Sequence, residues 1–377
     1  MTSKLLEREK TSSLRSLPKR YDLTDFASND YLGFARNREI FDRTSDLLLE
    51  KAQFQNGATG SRLLSGNSLL YSELEEVMAD FHNVPSALIF NSGYDANIGF
   101  FASVPQRGDL IFYDEWIHAS IRDGIRMSNA KSYKFKHNDL EDLRAHMDRI
   151  VNKDGNSEIY VVTESVFSMD GDTPDLRSIT DFCEENSCYL IVDEAHAAGV
   201  FGVQGQGLLQ ELGLHQKVFA RIVTFGKALG CHGAAVLGSK TLKSYLINFA
   251  RSFIYTTGMP PHSLATVLTA HHFSITPSGV DQRQKLKENI HFFNQELKRL
   301  HITRHFIESN SAIHCCIISG NDAVKKVARN LQEAIFDVRP ILSPTIPQGQ
   351  ERLRFCLHSF NTKQEITQVL ELLAKFI

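Results

Sequence analysis

No two cysteines in this chain form a C-x-x-C pair, and Cys183, Cys188, Cys231, Cys315, Cys316 and Cys356 make no dense disulfide framework. Reduced thiols in a cytoplasmic protein without a metal site are therefore expected. An excess of one charge is also missing: 41 Lys+Arg against 44 Asp+Glu leave a formal charge of -3, so neither nucleic acid nor an acidic membrane surface is indicated as a partner. The apolar runs are strand-sized, far short of the roughly 18 to 20 residues of a membrane helix. The opening Met1-Thr2-Ser3-Lys4, followed by Glu7, Arg8, Glu9 and Lys10, lacks the apolar centre of a secretory signal, so a soluble, unexported protein is expected. There is no internal repeat and no low-complexity tract. A G-x-x-x-x-G-K-[ST] phosphate loop is absent too, because Gly226-Lys227 is followed by Ala228 and Arg221 stands where the first glycine belongs. That removes the ATPase reading of Asp193-Glu194-Ala195-His196.

What is present is an ordinary globular composition, 42% hydrophobic and 23% charged, on 377 residues, enough for two domains. Apolar runs recur at Ala87 to Phe90, Leu110 to Tyr113, Ile159 to Val162, Tyr189 to Val192 and Ile222-Val223. They do not alternate, as befits strands buried on both faces. Between them, Glu73 to His82 and Leu176 to Asn186 carry apolar residues at helical spacing. Alternating strand and helix predicts a mostly parallel sheet covered by helices. After about residue 260 the pattern changes to one long helix, Ser263 to Leu300, then a strand at Ile313 to Ile318 and a helix at Ala323 to Ile335. Arg339 to Gly349 reads as an ordered loop, Arg352 to Leu357 as a half-buried strand, and Lys363 to Ile377 as a closing helix. The division expected is an N-terminal segment 1–45, a large α/β domain 46–262 and a smaller α+β domain 263–377.

The chemistry concentrates in Val223 to Gly230, where Lys227 sits past an apolar run among small residues. A lysine amine is a useful nucleophile when its pKa is lowered or when it is condensed with a carbonyl, as in a Schiff base with pyridoxal phosphate. That cofactor needs an acid at its ring nitrogen, and Asp193 at the end of an apolar strand suits this. His196, three residues on, could hydrogen-bond the phenolic oxygen or assist a carbonyl. Gly93, between a strand and a helix, could seat a phosphate on main-chain N–H groups; in isolation an N-capped Ser/Gly turn is the commoner explanation, and its position before the acid and the lysine reverses that. His118 could stack on a planar ring, or be structural. Gly199 to Gly207 resembles a dinucleotide loop only loosely and is expected to be a flexible turn beside the site. Arg352 and Arg354 are assigned to opposite faces of their strand, one of them free to clamp a carboxylate.

Ser28-Asn29-Asp30-Tyr31-Leu32-Gly33, Gly60 to Gly66, Ser168-Met169-Asp170-Gly171-Asp172, Val192 to His196 and Thr224 to Lys227 occur in the order found in the α-oxoamine synthases. The resemblance covers nearly the whole chain. It implies an α/β, fold-type I pyridoxal phosphate-dependent transferase, aspartate aminotransferase-like, that condenses an amino acid with an acyl thioester and releases carbon dioxide. Phe26 to Gly33, Lys136-His137-Asn138-Asp139 and Ser343 to Pro347 are similar to the biotin-pathway members, which use L-alanine and pimeloyl-CoA or a pimeloyl carrier protein. Sister activities on glycine or serine with other acyl groups are the rival reading. By resemblance, Lys227 carries the cofactor, Asp193 pairs with its ring nitrogen, His118 stacks on it, and His196 and Ser168 flank it. Gly93, Tyr94 and Thr224 hold the phosphate, and Thr257 reaches the phosphate of the second subunit of a homodimer. Arg354 and Thr345 meet substrate, and Arg15, or second Arg20, meets the acyl chain. Tyr71 departs from the family, many members of which place a histidine there.

Overall fold

The computed structural model describes residues 1–15, 17, 22–150 and 157–377; Arg20 lies outside them. The chain forms two compact units, one of residues 1–32, 168–172 and 281–377, the other of 33–167 and 173–280. The boundary drawn from sequence at 263 thus falls at 281, and the N-terminal segment divides at Gly33. The reason is packing: the helix Pro261–Ser274 lies against the helices Arg38–Glu50 and Leu69–Phe81 of the larger unit.

The larger unit is built on seven strands: β1 Ser86–Phe90, β2 Leu110–Asp114, β3 Lys131–Phe135, β4 Ile159–Glu164, β5 Tyr189–Asp193, β6 Ala220–Thr224 and β7 Ala234–Gly238. Their order is β1-β7-β6-β5-β4-β2-β3, with β7 antiparallel to both neighbours and the other pairings parallel. β1 and β4 are buried at every residue, which explains their unbroken apolar or polar-tipped runs. β3 was not foreseen, because an edge strand carrying Lys131 and Lys134 reads as polar chain; those charges also discourage pairing with another edge. The parallel strands β2, β4, β5 and β6 end on Asp114, Glu164, Asp193 and Thr224, so four polar groups gather at one edge of the sheet. Such an edge is where open α/β sheets bind ligands.

The helix expected over 263–300 is two, Pro261–Ser274 and Pro277–Arg299. Pro277 disfavours helical geometry at Thr276 and starts the second helix afresh.

In the smaller unit β8 Ile313–Ile317, β9 Arg339–Ile341 and β10 Arg352–Cys356 form an antiparallel sheet in the order β9-β10-β8. β9 opens the stretch read as a loop. β10 is buried at all five residues, where half-burial was expected. Two arginines tolerate this because each guanidinium is hydrogen-bonded inside the unit. Among the described residues none of the six cysteines is in a disulfide. Among the described residues no helix is long and apolar enough to cross a membrane.

Candidate active site

A cavity of about 190 Å³ opens at the sheet edge, lined by Gly93, Tyr94, His118, Asp193, His196, Thr224 and Lys227 among others. The larger unit therefore brings together seven residues that sequence motifs had singled out. Asp193 is supplied by β5 and is 5% exposed. Its Oδ2 accepts from Asn97 Nδ2 at 2.9 Å and its Oδ1 from the Ala195 main-chain N–H at 2.9 Å. Burial raises its pKa, while those two donors and the Lys227 charge pull it back. A buried acid so balanced is fitted to share a proton with a ring nitrogen.

His118 caps the helix α1 Ala119–Met127, its ring Nδ1 accepting from the Ser120 main-chain N–H at 3.2 Å. Burial lowers its pKa, the Lys227 charge adds to this, and Asp193 opposes it. A neutral, oriented imidazole results, suitable for stacking on a planar ring. In the same cavity Gly93 starts the helix Gly93–Ser103, capped by Ser92, whose Oγ accepts from the Asp95 N–H at 3.0 Å. A Cβ on Gly93 would lie 2.6 Å from Thr224 Cγ2, so only glycine allows this approach. The Tyr94 hydroxyl donates to Asp123 at 2.7 Å, leaving its main-chain N–H at the helix start as its offering to an anion.

Pyridoxal phosphate can be tested against these groups. Among the described residues Thr224 Oγ1 is buried without a hydrogen-bond partner beside a helix N-terminus, a hydroxyl placed to donate to a phosphate. With the buried acid Asp193, the neutral His118 and Lys227 in the same cavity, the residues fit the cofactor.

Ser168 belongs to the other unit, with Arg354. Arg354 is 9% exposed, and its guanidinium donates to Ser168 O at 2.7 Å, Asn29 Oδ1 at 3.0 Å and Cys356 Sγ at 2.9 Å. These acceptors are neutral. Arg352, by contrast, pairs with the Asp170 carboxylate in a buried ion pair. The two arginines, two residues apart on β10, share a face and both meet the 168–172 segment, which corrects their assignment to opposite faces. Arg15 Nη2 donates to Thr345 Oγ1 at 3.0 Å, joining two residues proposed for substrate. Thr257 is exposed, accepts through its main-chain oxygen from Asn91 Nδ2 at 2.7 Å, and does not line the cavity.

Further residues complete the picture. Asn97, one helical turn after Gly93, holds Asp193; its i,i+4 spacing from the glycine was the available signal. Glu164 and His232 also line the cavity. Gly199 to Gly207 is pinned, not flexible: Gly199 N–H donates to Gly205 O at 2.7 Å and Arg221 Nη2 to Gln206 O at 2.8 Å. Glu194, next to Asp193, is fully buried on Arg221 at 2.5 Å and also accepts from Leu209 N–H. Tyr71, in place of the family's histidine, accepts from Met259 N–H at 2.5 Å and stacks under Arg62 at 3.8 Å.

Residues 21–373 match the class I and II aminotransferase family, and the chain belongs to that family of pyridoxal phosphate-dependent enzymes, as an α-oxoamine synthase-type acyltransferase. It is 42% identical over 366 residues to the 8-amino-7-oxononanoate synthase of Emericella nidulans, covering 94% of this chain and 89% of the relative. The crystal structure of 8-amino-7-oxononanoate synthase from Francisella tularensis superposes with a TM-score of 0.77 at 31% identity, covering 94% of this chain and 97% of that one. A serine palmitoyltransferase variant from S. paucimobilis, solved with pyridoxal phosphate and myriocin, superposes with a TM-score of 0.85 at 26% identity, covering 93% and 86%.

Proposed function

We propose that this enzyme condenses L-alanine with a pimeloyl thioester, of coenzyme A or of a carrier protein, to give 8-amino-7-oxononanoate, carbon dioxide and free thiol in biotin synthesis. The similarity to the Emericella nidulans synthase along 94% of the chain carries this reading. Bound pyridoxal phosphate supplies a sink for the electron pair left at the alanine Cα. Lys227 anchors the cofactor and then, as a free amine, takes the Cα proton on Nζ. Asp193 keeps a proton at the ring nitrogen, and His118 covers one face of the ring. The main-chain N–H groups of Gly93 and Tyr94 and the Thr224 hydroxyl hold the phosphate. His196 and Ser168 flank the ring oxygen, and a hydrogen bond from His196 to the new carbonyl favours loss of carbon dioxide.

Arg354 takes the amino-acid carboxylate: its charge is buried among neutral acceptors, so an incoming anion gains a charge-assisted pair. Thr345 contacts substrate, and Arg15 is placed on the acyl chain, with Arg20 as second choice. The active form is a cytoplasmic homodimer in which Thr257 reaches the neighbouring phosphate; exposed Phe41, Leu49, Phe54 and Leu69 on the larger unit are the kind of apolar surface a second subunit covers. The fold similarity to serine palmitoyltransferase supports the rival, a sister enzyme using serine or glycine.

Carboxyl-labelled L-alanine tests the proposal. Labelled carbon dioxide should appear in step with unlabelled 8-amino-7-oxononanoate; label retained in the product, or no product from alanine, would refute it. Lys227→Ala should abolish both turnover and borohydride trapping of the cofactor on the peptide carrying residue 227.

A further inference from the structure

Glu164 ends β4, lines the cofactor cavity and has no part in the assignments above. It is 3% exposed, and its Oε1 accepts from the His118 main-chain N–H at 2.5 Å. On the adjacent parallel strand its register partner is Asp193, so two carboxyl groups stand side by side at the sheet edge, away from water. Like charges so placed do not both ionise. The surroundings choose between them. Asp193 accepts from two donors, Asn97 and Ala195, whereas Glu164 accepts from one. Burial and the Asp193 charge hold the Glu164 pKa well above the ordinary value, and Asp114 adds to this; the His118 N–H and the Lys227 charge oppose it.

We propose that Glu164 is a positioning residue that stays a neutral carboxylic acid, fixing His118 through its main-chain N–H and leaving Asp193 as the carboxylate that answers the cofactor ring. This rests on the reading of Asp193 as the partner of the ring nitrogen. The protonation state, however, can be read without turnover.

Infrared difference spectra of wild-type and Glu164→Gln holoenzyme at neutral pH should show a protonated carboxyl C=O band that the variant lacks. A lost carboxylate band instead overturns the neutral state, whatever the substrate proves to be. Glu164→Gln keeps the acceptor and the charge, so pyridoxal phosphate affinity should stay within about threefold and the pH titration of the bound cofactor's absorbance should not move. Glu164→Ala leaves the His118 N–H without its partner and should weaken cofactor binding about tenfold or more, the scale of one lost buried hydrogen bond. Equal affinity in both variants would overturn the positioning role, and a Gln variant as weak as Ala would overturn neutrality. If the Ala variant does not fold, Glu164→Asp, which draws the acceptor back by one carbon, should show the same loss.

Discussion

His314 on β8 is fully buried, packed at 4.5 Å against Phe293, and among the described residues neither of its ring nitrogens has a hydrogen-bond partner. Burial pushes its pKa down to about 3. Replacing it by Leu removes two unsatisfied polar atoms from an apolar setting at modest change in volume. Such atoms cost about 1–3 kcal/mol each, and part of that gain is lost to imperfect repacking, so His314→Leu should stabilise the smaller unit by about 1–2 kcal/mol at neutral pH. The pH dependence has a definite sign. The folded pKa lies below the unfolded value of about 6.5, so the unfolded chain binds the proton first and the wild type loses stability as pH falls below 6.5, levelling near pH 3. At pH 5 the loss from this one group is about 2 kcal/mol, and the variant escapes it. Hydrogen exchange of the β8 amides, corrected for intrinsic rates, reads the opening free energy at each pH. The gap between variant and wild type should widen from pH 7.5 to pH 5; a destabilised variant, or a gap that does not change with pH, would refute the reasoning.

Gly93→Ala should weaken pyridoxal phosphate binding at least about tenfold by driving a methyl into Thr224 Cγ2, and the added change Thr224→Ser, which removes that methyl, should recover part of it; a titration of apoenzyme fluorescence measures both. Asp170→Asn strands the buried Arg352 charge and should cost about 3–5 kcal/mol of stability, visible as a lower urea midpoint. Arg354→Lys keeps the charge but loses the planar fork, so the KM for the amino acid should rise about tenfold or more while the KM for the thioester changes little. An equal rise in both would remove Arg354 from the carboxylate.

The strands easiest to read were those buried on both faces, because burial leaves an unbroken apolar signature. β3 escaped because its exposed residues carry lysine, and β7 because Ala234-Ala235 lack the β-branched side chains that mark strands. The Thr276-Pro277 break was visible in the proline, yet the helical periodicity runs straight across it. At the site, Lys227, Asp193 and Gly93 announced themselves as polar or small residues at the ends of apolar runs. Glu164 has the same setting, but a glutamate following a threonine reads as the exposed tip of a strand until the register places it beside Asp193. Cys356 holds Arg354 from the same strand, whereas Asn29 holds it from 325 positions away, a contact that only the folded small unit creates.

The central claim is a particular pair of substrates. Thiol release by the pyridoxal phosphate-loaded enzyme should be measured with L-alanine, glycine and serine, each against pimeloyl-, acetyl-, succinyl- and palmitoyl-CoA and a pimeloyl carrier protein. The account predicts release from alanine with a pimeloyl thioester, and little from the other pairs. Release confined to glycine or serine with another acyl group would contradict it and make the enzyme a sister synthase.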